Sequence, residues 1–207
     1  MIIIPQSDTD AWTAARIGKV TASRIADVMA TTRTGLAASR ANYAAELVAE
    51  RLTGRPTERF INAAMQHGID TEADAVAAYE WERAHATTPG GFVSHPSLAM
   101  AGASPDRFIG SSGLLEIKCP LTATHIARLM GEDIPRKYML QMQWQMACTG
   151  RAWCDYASFD PRLPGELQLH VERIARDDAL ISEIEEAVSA FLRHVAETVQ
   201  HLRSIGK

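Results

Sequence analysis

Two carboxylates and an amine lie close together near the middle of this 207-residue chain: Asp106 ends the run Ser104-Pro105-Asp106, and ten residues later comes Glu116-Ile117-Lys118. Side chains alternate along an extended strand, so in Leu114 to Cys119 the apolar Leu115, Ile117 and Cys119 address one face and Glu116 and Lys118 the other. If the turn Gly110-Ser111-Ser112-Gly113 folds Asp106 back over the polar face, two carboxylates form a hard-oxygen site of the kind Mg²⁺ takes, with an ammonium beside it. That set of groups suits metal-assisted cleavage of a phosphodiester. Each part also has an ordinary reading: any half-exposed strand carries polar residues at alternate positions, and Pro-Asp is common turn chemistry.

Two further residues bear on the same chemistry. Glu72 falls in line with Met65, Ile69, Val76 and Tyr79 at helical spacing, and a carboxylate in an apolar stripe is costly unless it is paired or coordinates something. Gln141 opens the alternating run Gln141, Gln143, Gln145, which reads either as surface amides or, near an acidic cluster, as a group that orients water or Lys118.

The elements that must position these groups follow from periodicity and punctuation. A short helix around Trp12 is capped by Asp8 or Thr9, and a second runs from Ala22 to Met29 with Thr21 or Ser23 at its N-terminus. After a threonine-rich loop at 31–35, helices span Ser39 to Leu52, stopped by Gly54, and Asn62 to about Ala84. Short strands are expected over Gly91–Ser94, Leu98–Ala103, Arg107–Ile109 and Leu114–Cys119, then helices over Thr124–Met130 and Arg136–Ala147. Strands over Ala152–Ser158 and Leu167–Ile174 complete the sheet. A last helix over Ala179–Leu202 carries Leu180, Ile184, Val188, Phe191, Val195, Val199 and Leu202 as a core stripe. The class is α/β, helices first, then a sheet with helices against its faces.

Composition bounds the rest. With 46% hydrophobic and 22% charged residues the chain reads as one globular domain over 1–207, without internal repeats. No apolar run approaches the roughly 18 residues of a membrane span, and Met1-Ile2-Ile3-Ile4-Pro5 lacks the basic leader and length of a signal peptide, so a cytoplasmic protein is expected. Cys119, Cys148 and Cys154 lack C-x-x-C spacing and read as buried thiols, not a disulfide frame or zinc site. Three cysteines are also one short of the four that usually hold an iron–sulfur cluster. There is no Gly-rich nucleotide loop. The net charge of −4 argues against adhesion to nucleic acid over the whole surface, but charge is uneven: residues 1–60 carry eight Lys/Arg against six Asp/Glu, and residues 161–207 six against eight. A confined positive channel fits that distribution.

Taken in order, Glu72, Ser104-Pro105-Asp106, Glu116-Ile117-Lys118-Cys119-Pro120 and Tyr138-Met139-Leu140-Gln141-Met142-Gln143 resemble the phage lambda exonuclease, or YqaJ-type viral recombinase, branch of the PD-(D/E)xK nucleases. Ala11-Trp12, Arg16-Ile17-Gly18 and Val20-Thr21-Ala22-Ser23 are similar to the opening motif of that family, and Tyr156 through Asp160-Pro161-Arg162 to its late strand and turn, so the resemblance covers about residues 11–175. It implies a restriction-endonuclease-like core, a central mixed β-sheet flanked by α-helices. It implies Asp106, Glu116 and the backbone carbonyl of Ile117 as ligands of two Mg²⁺ ions, with Mn²⁺ as a substitute, Lys118 beside the attacking water, and Glu72 and Gln141 orienting water and ligands. The 5′-phosphate of the digested strand falls to Arg16, Ser23 and Arg33, and the wedge against the terminal base pair to Met65. The same arginines read alone as solvated charge, and Met65 as core. The implied activity is 5′→3′ digestion of one strand of linear duplex DNA to mononucleotides, by a homotrimeric ring of phage or prophage origin, leaving 3′ overhangs for a single-strand annealing protein. Alternatives are a restriction or repair endonuclease of the same superfamily and a non-catalytic DNA-binding protein that keeps the fold. Arg107 stands where the family has Gly after the Asp, so a different turn is expected there, and Thr124 and His125 stand where a basic DNA contact is expected.

Overall fold

The computed structural model describes residues 2–32, 35–57 and 62–206. Strand β1 (Ile4–Pro5) precedes α1 (Thr9–Arg16), which Asp8 caps by accepting from Ala11 N at 3.2 Å. β2 (Val20–Thr21) leads through a single 3-10 turn (Ala22–Arg24) into α2 (Ile25–Val28). Neither Thr21 nor Ser23 caps this helix as expected: the tighter turn comes first, and the residues at the two cap positions, Thr21 and Arg24, make no side-chain cap bond. The threonine-rich loop holds a two-stranded ladder, β3 (Thr31–Thr32) with β4 (Gly35–Leu36). α3 (Ala38–Thr53) stops where Gly54 takes a left-handed conformation at φ +67°, and α4 (Ala63–Arg83) starts where Asn62 accepts from Met65 N at 2.9 Å.

The strands that follow are β5 (Thr87–Pro89), β6 (Gly91–Ser94), β7 (Ala101–Ala103), β8 (Arg107–Ile109) and β9 (Gly113–Lys118). β7 is shorter than the expected Leu98–Ala103. The backbone turns at 95–101, where His95 N donates to Ala101 O and His95 Nδ1 accepts from the amides of Ser97 and Leu98. α5 (Thr122–Leu129), α6 (Arg136–Thr149), β10 (Trp153–Phe159), β11 (Leu169–Ala175) and α7 (Asp178–Ile205) complete the chain. β1, β2 and β5 have two or three residues each, too few for a period to show in sequence.

Among the described residues the single expected sheet resolves into a five-stranded sheet of order β11-β10-β9-β8-β5 and a separate four-stranded sheet of order β1-β6-β7-β2. The larger is mixed: β9 and β10 are parallel, joined through α5 and α6, and its other pairs are antiparallel. One face packs with α2, α3, α6 and α7 in the main core, where Ile184, Val188, Phe191 and Val195 of the α7 stripe are fully buried. The other face presents Leu115, Ile117, Ala157 and Phe159 to Ala75 and Tyr79 of α4. A sheet covered by helices on both faces is the expected nuclease-type core. All three cysteines are free thiols, Cys148 and Cys154 buried and Cys119 half-buried. No helix among the described residues is long and apolar enough to cross a membrane.

α4 departs from expectation in which face it buries. Met65 and Ile69 are 54% and 58% exposed, and the buried line is Thr71, Ala75 and Tyr79. The apolar stripe is thus open to solvent over the first turns of α4. Further along, polar bonds fix the helix: Tyr79 OH donates to the buried Asp155 at 2.7 Å, Arg173 makes a two-pronged bond to the same carboxylate, and its guanidinium stacks 3.5 Å over Trp153.

The turn after β10 steadies the far end of β9. Asp160, fully buried, accepts from Arg162 N at 3.0 Å and Nε at 2.6 Å, and Arg162 Nη2 also reaches Pro120 O at 3.1 Å. Burial alone would raise the Asp160 carboxyl, but the Arg162 bonds and the Thr122 hydroxyl outweigh it and hold its pKa at about 2. A carboxyl depressed in the folded state contributes stability above its unfolded pKa of about 4, and that contribution is lost as pH falls toward 2. Asp160→Asn is therefore expected to cost about 1–2 kcal/mol at pH 7, the exposed Arg162 screening part of the effect. In urea melts at pH 7 and pH 3, the gap between variant and wild type should narrow at the lower pH.

Candidate active site

The separate four-stranded sheet brings distant segments together. β2 runs parallel to β7, Val20 beside Ala101 and Thr21 beside Gly102, so the chain leaving β2 at Ala22-Ser23 lies next to the chain leaving β7 at Ser104-Pro105-Asp106. α1 adds Trp12 and Arg16, four residues apart and so on one helical face. Arg16 lies 4.1 Å over the Trp12 ring, and both donate to Ser104 Oγ, at 2.8 Å from Arg16 Nη1 and 3.2 Å from Trp12 Nε1. With its oxygen accepting two bonds, the Ser104 hydroxyl keeps its own proton to donate.

Arg16, Ser23 and Ser104 line one cleft of about 180 Å³ together with Asp106, Glu116, Lys118 and Gln141. Glu116 is completely buried, and both its oxygens are engaged: Oε1 accepts from Lys118 Nζ and from Gln141 Nε2 at 2.6 Å, and Oε2 from Gln145 Nε2 at 2.6 Å. Asp106 Oδ2 accepts from Ile117 N at 2.7 Å. The N–H and C=O of one strand residue address the same edge, so the Ile117 carbonyl is turned toward Asp106. The Asp106 backbone is fixed in turn by Gly90, whose N–H donates to Asp106 O at 2.9 Å; a Cβ on Gly90 would lie 1.8 Å from Pro105 O.

The electrostatics follow from crowding. Burial, then the charge of Glu116, pushes the Asp106 carboxyl well above the usual range. Burial alone would lower the Lys118 amine, but Glu116 and Asp106 raise it, so it stands as an ammonium donating to Glu116. Glu72 lies at the exposed rim; its carboxyl is raised by partial burial and then by Glu116, while Lys118 and Arg107 pull it back. Three carboxylates thus face one ammonium. Hard oxygens in negative excess fit a divalent cation, and Asp106, Glu116 and the Ile117 carbonyl are the groups present to hold it. Among the described residues no three His, Cys, Asp or Glu side chains gather as a metal cage, so the remaining positions would fall to water and substrate oxygen, as is usual for Mg²⁺.

The structure therefore brings together Asp106, Glu116, Lys118, Gln141, Arg16 and Ser23, with Glu72 at the rim. Met65 is exposed two turns earlier on α4, and Arg33 lies outside the described residues. Arg107 turns away from the cleft, bonding Thr87 Oγ1 at 2.8 Å and approaching Glu80 at 3.7 Å, so it ties β8 to β5 and α4. His125 is no DNA contact: it is fully buried between Ser158 Oγ at 2.8 Å and Leu167 O at 2.9 Å. Trp12, Ser104 and Gln145 join the cluster without being among the expected site residues. The signals available were spacing alone, Trp12 four residues before Arg16, Gln145 four after Gln141, and Ser104 beside the Pro-Asp turn.

Comparison with known proteins bears on the family and the fold. Residues 11–152 match the YqaJ-like viral recombinase domain. The crystal structure of an alkaline exonuclease, LHK-Exo, from Laribacter hongkongensis is 52% identical, with a TM-score of 0.87 over 95% of this chain and 97% of that one; its complex with dAMP gives the same values. A phage-related exonuclease from Haemophilus somnus 129PT, 16% identical, shares the fold at a TM-score of 0.70 over 89% and 96% of the two chains. The curated proteins gave no match. A domain match across most of the chain, and an exonuclease half identical along nearly its whole length, place this protein in the YqaJ-like viral recombinase domain family.

Proposed function

We propose that this deoxyribonuclease is a divalent-metal-dependent 5′→3′ exonuclease, taking one strand of linear duplex DNA from a 5′-phosphorylated end and leaving a 3′ overhang. The observation that carries the reading is one small cleft lined by two sets of groups of opposite character: Arg16, Ser23 and Ser104 in one, and Asp106, Glu116, Lys118 and Gln141 in the other. A guanidinium and two hydroxyls suit a terminal phosphate, and the carboxylate set suits the scissile phosphodiester one step inward.

In this reading Asp106, Glu116 and the Ile117 carbonyl hold Mg²⁺, two ions in the full site, with Mn²⁺ able to substitute. Bound there, the metal supplies charge neutralisation on the phosphoryl oxygens and a water of lowered pKa. Lys118 acts as an ammonium that holds water or a phosphate oxygen. Gln141 orients Lys118 and water from α6, and Glu72 does so from the rim. Exposed Met65, on the same helix as Glu72, suits a wedge at the duplex end, and Arg33 joins the phosphate set. The whole chain acts as one nuclease domain. A homotrimeric ring around DNA reconciles the net charge of −4 with a polyanionic substrate. Its setting is the cytoplasm of a bacterial host, encoded by phage or prophage and handing overhangs to a single-strand annealing protein.

Labelled linear duplex bearing a 5′-phosphate should be degraded from that end with Mg²⁺ and left intact with chelator, while closed circles persist; cutting of circles at an equal rate would favour an endonuclease. Asp106→Asn, nearly isosteric, should retain the fold by circular dichroism and lose on the order of 10³-fold or more in activity. Arg16→Gln should slow digestion of 5′-phosphorylated ends by roughly 10- to 100-fold while changing 5′-hydroxyl ends little, so an equal loss on both would remove Arg16 from phosphate recognition.

A further inference from the structure

α6 is apolar and buried through its middle: Leu140, Met142, Trp144, Met146 and Ala147 all lie in the main core. Gln145 sits in that stretch with no exposed surface at all. Packing alone favours a Leu or Met at such a position, because a buried amide costs free energy unless it is bonded. Its amide is only half satisfied: Nε2 donates to Glu116 Oε2 at 2.6 Å, while Oε1 is buried with no partner among the described residues. Glu116 Oε2 can only accept while the carboxylate is ionised, so the amide must present its N–H₂ there and leave its oxygen unbonded. Among the described residues the one bond the Gln145 side chain makes is to Glu116.

That bond is on the far side of the carboxylate from the cleft. Lys118 and Gln141, the two donors to Oε1, line the cleft, whereas Gln145 does not. We propose that Gln145 is a positioning residue for Glu116: it ties Oε2 to the core and thereby presents Oε1 to the cleft as the oxygen that meets a metal. The inference rests on the reading of Glu116 as a metal ligand. Gln145 touches neither substrate nor metal and acts through the plane in which it holds the carboxylate. Without it, Glu116 loses the bond on its buried side, and the carboxylate can pivot about the bonds that Lys118 and Gln141 make to Oε1.

The test is Gln145→Met, close in volume and without a donor, together with Gln145→Asn, whose shorter amide no longer reaches Oε2. Three quantities are read: Mg²⁺ and Mn²⁺ affinity by calorimetry without DNA, the Mg²⁺ concentration at half-maximal nuclease rate, and KM for DNA. Both variants should fold, bind metal about tenfold or more weakly, shift the Mg²⁺ midpoint upward to match, and leave KM within about twofold, since only the ligand geometry has changed. Unchanged metal affinity in a folded variant overturns the proposal, as does a loss of fold in both, which would make Gln145 a structural residue. If the wild-type protein itself binds no divalent ion, the underlying metal-site reading fails instead, and the two failures are told apart by that control.

Discussion

A carboxylate with no exposed surface, held in the middle of a sheet by three donors, is the constraint from which the rest of this structure follows. Burying an ionised Glu is prohibitive unless its oxygens are bonded and its charge is answered. Glu116 meets that requirement from two directions. Lys118, two residues along the same strand, supplies the charge, and Gln141 and Gln145, one turn apart on α6, supply amides. α6 must therefore lie against this face of β9, and the parallel pairing of β9 with β10 through α5 and α6 is the connection that lays it there.

Asp106 is placed by a different device. Its backbone is gripped by Gly90 and its carboxylate by the Ile117 amide, so it meets Glu116 at fixed geometry although the two repel. Like charges held together against repulsion are a stored disposition to bind a cation. The smaller sheet adds a second set of groups. By pairing β2 with β7 it brings the phosphate-suited Arg16, Ser23 and Ser104 into the same cleft as the carboxylates.

Much of this was legible in sequence, and the limits have a physical reason. Element types and most boundaries followed from local signals: the Asp8 cap, the Gly54 stop, the alternation along β9 and the period of α7. The division into two sheets was not legible, because β1, β2 and β5 are too short to carry a period and exist only through partners far away in sequence. The start of α4 joins the apolar stripe in sequence for a related reason: Met65 and Ile69 keep helical spacing with Tyr79, and spacing cannot tell which part of a stripe is covered. In the site, Asp106, Glu116 and Lys118 lie within thirteen residues and announce themselves. Ser104 and Gln145 acquire their part from bonds to residues 88 and 29 positions distant, which no local pattern encodes.

The central claim is that Asp106 and Glu116 are held in mutual repulsion for a divalent cation. Anomalous diffraction from crystals soaked in Mn²⁺ tests it most directly. The account predicts density between the two carboxylates, within about 2 Å of Asp106 and of Glu116 Oε1 and near the Ile117 carbonyl, with Gln145 still on Oε2. Occupied Mn²⁺ sites elsewhere, with the Asp106–Glu116 cleft empty and Lys118 and Gln141 unmoved on Glu116, would contradict it.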